Sequence, residues 1–107
     1  MNDPASIAVQ VRERDDILQI EVQGELDLLT EPDLVDHVDR ALSISGAARV
    51  VMELRGVDFI DSSGLRSLLR CRDLVASHDR QLALIVGDGV VRRLLDVAGV
   101  SPWFSYA

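Results

Sequence analysis

Two short apolar runs, Val50-Val51-Met52-Glu53-Leu54 and Leu82-Ala83-Leu84-Ile85-Val86, bracket a longer segment with leucines at helical spacing. Neither run alternates cleanly, which suits a strand buried on both faces. Strand, helix and strand in that order form a crossover unit, and such units build parallel sheets. Ahead of them, Ile7, Val9 and Val11 alternate with Ala8 and Gln10, and Leu18, Ile20 and Val22 alternate with Gln19, Glu21 and Gln23. Arg12-Glu13-Arg14-Asp15-Asp16 supplies a polar turn, so these two strands are predicted to pair as an antiparallel hairpin. Gly24 is expected to end the second strand, leaving Glu25 to Leu29 as a connecting loop.

Periodicity also sets the helices. Thr30 is the expected N-cap of the first, with Glu31, Pro32 and Asp33 in its first turn. Leu34, Val35, Val38, Ala41 and Leu42 share one face, and Asp36, His37, Asp39 and Arg40 take the other. Gly46 breaks the pattern. A second helix is predicted from about Ser62 to His78, burying Leu65, Leu68, Leu69 and Val75. Gly87-Asp88-Gly89 turns the chain into a short third helix packed through Val91, Leu94, Leu95 and Ala98, with Gly99 as its left-handed stop. Val100 to Tyr106 reads as a last edge strand. The predicted fold is a single α/β domain over 1–107, a mixed β-sheet with an antiparallel N-terminal edge hairpin, parallel βαβ crossovers and helices packed on the sheet.

Composition excludes several function classes. A chain of 107 residues supports one core. Its net charge of −7 repels nucleic-acid backbones and anionic membrane surfaces. Aromatics at 4% leave no stacking platform for single strands. No run approaches the roughly 18 apolar residues of a membrane span. Met1 to Ser6 has neither the basic nor the apolar region of a signal peptide, so the expected location is cytoplasmic. All 11 basic residues are arginine. Without lysine there is no Walker-type phosphate contact, no Schiff base and no receiver-domain lysine. Cys71 has no disulfide partner, two histidines cannot complete a zinc site, and the cysteine reads as a core residue. No metal or cofactor is expected.

For function, the informative stretch is Val57-Asp58-Phe59-Ile60-Asp61-Ser62-Ser63-Gly64-Leu65. It places Asp61, Ser62 and Ser63 where a helix begins shortly after a buried strand. Free backbone N–H groups and the positive dipole end suit a hydroxyl that can carry a phosphate. The same residues also suit plain capping. Either Asp61 caps the helix and leaves the Ser62 hydroxyl free, or Ser62 is itself the cap. A hydrolase elbow fails because the first glycine of Gly-x-Ser-x-Gly is missing. His78 lies roughly 24 Å down the same helix, and His37 is on a solvated face. A receiver domain fails because Asp15-Asp16 precede a strand instead of following one. Asp33, Asp36 and Asp39 sit at helical spacing as a solvated face, and Gly87-x-Gly89 is too little for a phosphate cradle. No catalytic residue is expected.

Gly24-Glu25-Leu26-Asp27 closes the second strand, and Asp58-Phe59-Ile60-Asp61-Ser62-Ser63-Gly64-Leu65 follows the third. Both lie at the carboxyl end of adjacent parallel strands, so they should converge. This pair closely resembles the anti-sigma factor antagonists of the STAS domain family, over about Ile7 to Phe104. The resemblance implies a partner switch. The unphosphorylated form binds an anti-sigma factor that is also a serine kinase and frees a sigma factor. The kinase phosphorylates the first motif serine, Ser62, the complex parts, and a metal-dependent serine phosphatase restores it. The resemblance chooses Ser62 over Ser63 and sets Asp27 beside the serine. The implied contact surface is Asp27, Asp61, Ser62, Ser63, Gly64, Leu65 and Arg66. Gly64 is expected to admit a close backbone approach. Arg66 departs from the small residue that many relatives carry there. The family's C-terminal helix has no counterpart before Ala107, which should leave one sheet face less covered. A monomer or weak dimer is expected. The family's other roles are transporter domains, which need membrane spans, and accessory subunits of lipid-transport ATPases, against which the paired serines argue.

Overall fold

The computed structural model describes residues 7–107, so the Met1 to Ser6 segment read for a targeting signal lies outside the described residues. Strands β1 (Ile7–Arg14) and β2 (Ile17–Leu26) form the predicted hairpin. Asp15 and Asp16 turn it with φ of 55° and 63°, the mirror-image turn that matches strand twist in a two-residue loop. Then come α1 (Glu31–Ile44), β3 (Arg49–Ile60), α2 (Ser62–Ser77), β4 (Gln81–Ile85), α3 (Val90–Val97), a single 3-10 turn (Ser101–Trp103) and β5 (Ser105–Tyr106). The sheet order is β1-β2-β3-β4-β5, antiparallel at the first pair and parallel at the rest. This is the mixed α/β sheet that the periodicity predicts.

Register explains the core. Leu18 pairs with Val50 and Val50 with Leu82, and Ile20 pairs with Met52 and Met52 with Leu84. Paired residues point to the same face, so the strands stack their apolar side chains in rows. These rows join Leu34, Val38, Ala41 and Leu42 of α1 and Leu68, Cys71 and Val75 of α2 in one buried cluster. Glu53 is the charged residue within the β3 run. Burial pushes its carboxyl upward, but the Arg55 backbone N–H at 2.7 Å and guanidinium Nε at 2.6 Å more than reverse this and leave it below the usual carboxylate range.

Several expectations change. Gly24 does not end β2. It takes φ 113° inside the strand, where the β2–β3 register shifts, and the strand runs on to Leu26. A residue without Cβ makes a bulge here where a terminator was expected. β3 likewise outruns its apolar stretch and ends at Ile60. Its pairing with β4 reaches only Glu53 with Ile85, so the last part of β3 is held by β2 through Gly56 to Ile60. The buried stripe of α2 is centred on Gly64, Ser67, Leu68, Cys71 and Val75, with Leu65 and Leu69 half-buried at its margins. Small residues on that face let the helix axis lie close to its neighbours. Ala98 is exposed and not buried. Gly99 is the left-handed stop (φ 73°), with the Val100 N–H donating to the Leu95 carbonyl and the Gly99 N–H to the Asp96 carbonyl, each at 3.1 Å. The predicted edge strand from Val100 shrinks to Ser105–Tyr106 because Pro102 sits in a 3-10 turn and cannot donate to a ladder. Among the described residues, no helix is long and apolar enough to cross a membrane.

Candidate functional site

The two halves of the signature meet at the carboxyl ends of β2 and β3. Leu26 pairs with Ile60, and the Asp61 N–H donates to the Leu26 carbonyl at 3.3 Å. Asp27 and Asp61 are therefore the next residues out on adjoining strands.

The turn into α2 is abrupt. Asp61 is extended, and its Oδ1 accepts the Gly64 N–H at 3.0 Å while its carbonyl accepts the Leu65 N–H at 2.9 Å. Asp61 is thus the cap, and Ser62 is the first helical residue. Ser62 is exposed and its hydroxyl makes no hydrogen bond among the described residues; Ser63 and Leu65 beside it are half-buried. Gly64 is buried, and the backbone that approaches it is this chain's own. A Cβ there would stand 2.2 Å from the Leu26 carbonyl oxygen and 2.8 Å from Ile60 Cγ1. Gly64 shapes the surface from beneath. The Ser67 hydroxyl donates back to the Gly64 carbonyl at 2.6 Å, which steadies the same turn.

The turn into α1 is built differently. Thr30 holds the expected N-cap position of α1, its carbonyl accepting the Leu34 N–H at 3.0 Å, but its side chain makes no capping bond to the helix. Asp27 braces the turn ahead of it: its Oδ1 accepts the Leu29 N–H at 3.0 Å and the Thr30 N–H at 3.1 Å. Thr30 answers by accepting the Asp27 N–H at 3.0 Å and donating to the Glu25 carbonyl at 2.8 Å. This reciprocal box begins a turn ahead of α1, and the Glu31 N–H closes it onto the Asp27 carbonyl at 3.1 Å. Asp27 has a structural task as well as a surface position. Leu28 and Leu29, 63% and 73% exposed, stand at the tip of this turn, and Phe59 near the end of β3 is 45% exposed.

Arg66 is exposed, but it is not a loose cation. Its Nε donates to Glu31 Oε2 at 3.0 Å, and Arg70 Nη1 donates to Glu31 Oε1 at 3.0 Å. Glu31 is buried beneath them, so α1 and α2 are clasped one turn beyond the serine. Glu31 and Arg70 escaped sequence reasoning because they join through contacts 35 and 39 residues apart. The available hint was the spacing of Arg66 and Arg70 on one helix face.

His78 caps the far end of α2, and His37 lies 3.7 Å from Asp33 on α1. Burial pushes the Cys71 thiol up to about 12, so it is an inert core side chain. Among the described residues, no cluster of three or more His, Cys, Asp or Glu is arranged to hold a metal ion. A groove of about 560 Å³, lined in part by Arg49, Arg72, Gln81, Trp103 and Tyr106, includes none of the signature residues. Ser62 stands on open surface, a position suited to meeting another macromolecule.

The family model for the STAS domain matches residues 8–106. The chain belongs to the STAS domain family. It is 26% identical over 95 residues to an anti-sigma F factor antagonist of Paenibacillus polymyxa, covering 89% of this chain and 81% of that one. Its backbone superimposes on an anti-sigma factor antagonist from Mycobacterium paratuberculosis with a TM-score of 0.83, 24% identity and coverage of 99% and 90% of the two chains. It also matches the Bacillus cell fate determinant SpoIIAA in the phosphorylated form, with a TM-score of 0.65, 20% identity and coverage of 94% and 91%. At these identities the structural likeness speaks to the fold.

Proposed function

We propose that this STAS domain is an anti-sigma factor antagonist whose binding is switched off by phosphorylation of Ser62. The observation that carries this reading is the division of labour at the start of α2: Asp61 takes the capping bond, and the exposed Ser62 hydroxyl is left for a kinase. The partner is an anti-sigma factor with serine kinase activity, and a serine phosphatase resets the switch. The contact surface is Asp27, Asp61, Ser62, Ser63, Leu65 and Arg66 over the buried Gly64, with Leu28, Leu29 and Phe59 as apolar anchors. Exposed leucines and an aromatic gathered at one end of a sheet suit the desolvated centre of an interface. The chain acts by binding and not by catalysis, in the cytoplasm where sigma factors work.

A phosphate adds about −1.5 to −2 charges. At the first turn of α2 the helix dipole tolerates it, whereas Asp27, Asp61 and a water-excluding interface do not. Release therefore comes from the interface and not from unfolding. Ser62→Ala should fold normally and bind the anti-sigma partner without release by ATP. Ser62→Asp should melt close to the parent yet bind at least ~2 kcal/mol more weakly by titration calorimetry. Equal binding by both folded variants would sink the phospho-switch and favour a non-phosphorylated accessory role.

A further inference from the structure

Ser62 and Arg66 are four residues apart on α2, so their side chains lie one above the other on the same helix face. Helical side chains lean toward the N-terminus, which brings Arg66 over the turn that starts at Ser62. Arg66 is also held in place. Arg70 fixes one oxygen of Glu31, which is only 7% exposed, and the other oxygen of Glu31 takes the Nε of Arg66. Among the described residues, no hydrogen bond uses the two Nη groups of Arg66, and its side chain is 56% exposed. An oriented guanidinium with its outer edge open is a receptor for an oxyanion.

We propose that Arg66 receives the phosphate of phospho-Ser62 within the same chain, its Nε kept by Glu31 while its Nη edge closes on the phosphate oxygens. This rests on the reading of Ser62 as the modified residue. A guanidinium carries five donors in one plane and can serve two anions at once, so Glu31 need not be abandoned. An anion one turn N-terminal to a cation is the favourable order along a helix. Two consequences follow for the switch. The phosphate is held against α2 instead of swinging free, and the surface loses an available cation as it gains an anion.

The test bypasses the kinase. Phosphoserine is encoded directly at position 62 of the full chain, and the phosphate is titrated by 31P NMR. Asp61, Asp27 and Glu31 are the acidic groups around it and raise its second ionisation, while Arg66 lowers it, so the variant comparison isolates the arginine. The second pKa should be about half a unit lower in the parent than in Arg66→Gln. Arg66→Lys, which keeps the charge but loses the planar fork, should fall between them. Thermal melts of the three proteins confirm that each is folded. Coincident titration curves for the parent and Arg66→Gln would overturn the proposal. Failure of a kinase to modify Ser62, or tight partner binding by Ser62→Asp, would instead overturn the switch and leave this titration unaffected.

Discussion

The two strand-to-helix turns that form the site stand side by side yet are held by opposite means. The turn after β2 is a side-chain construction: Asp27 and Thr30 exchange hydrogen bonds around a loop whose tip carries two exposed leucines. The turn after β3 is a backbone construction: the strand stops at Ile60, Asp61 caps, and Gly64 lets the first turn of α2 seat directly on the Leu26 carbonyl. The first offers an apolar tip to a partner, while the second presents a hydroxyl from a fixed platform. A modification site benefits from the second design, because a charge added there leaves the backbone beneath it in place and stays at the docking surface.

If that contrast is right, the largest effect should come from the backbone side. Gly64→Ala puts a Cβ 2.2 Å from a carbonyl oxygen that cannot swing away, so it should cost about 3 kcal/mol or more in a urea melt. Gly46, with nothing within 4 Å of its would-be Cβ, serves as the control. A Gly64→Ala protein as stable as the parent would break the comparison. The two aspartates should differ next. Asp27 accepts two backbone N–H groups and Asp61 one, so Asp27→Ala should lose about 2 kcal/mol and Asp61→Ala about 1 kcal/mol. A reversed order would show that the turn ahead of α1 is not held by Asp27. The smallest effect sharpens the picture most. Asp27→Asn keeps the acceptor oxygen and should hold stability within about 0.5 kcal/mol. Any loss of affinity it shows for the anti-sigma partner by calorimetry then belongs to the charge at the surface and not to the loop.

The hairpin, the helix order and the parallel crossovers were legible because each rests on local periodicity. The mixed sheet follows from them. Convergence of the Asp27 and Asp61 segments was legible too, since both follow adjacent parallel strands. What escaped was information held by distant pairs. The extension of β3 through Phe59 depends on β2 lying alongside, and no alternation in Val57 to Ile60 announces it. Gly24 reads as a stop because a bulge and a terminator use the same residue for the same φ freedom. Thr30 stands at the N-cap position that the sequence predicts, but no local pattern announces that its hydroxyl is engaged by Asp27 and Glu25. The clasp of Glu31 by Arg66 and Arg70 has no local signature at all. It turns a surface cation into a positioned one.

Cys71 makes these differences measurable without a label. It is the protein's single thiol, it sits on the packed face of α2, and in the folded chain it is shielded and protonated. An alkylating reagent can reach it only during the intervals when α2 lifts from the sheet. The alkylation rate is therefore a clock for the opening of the element that carries Ser62. Read before and after phosphorylation, that clock would separate a modification that loosens its own helix from one that leaves the scaffold shut.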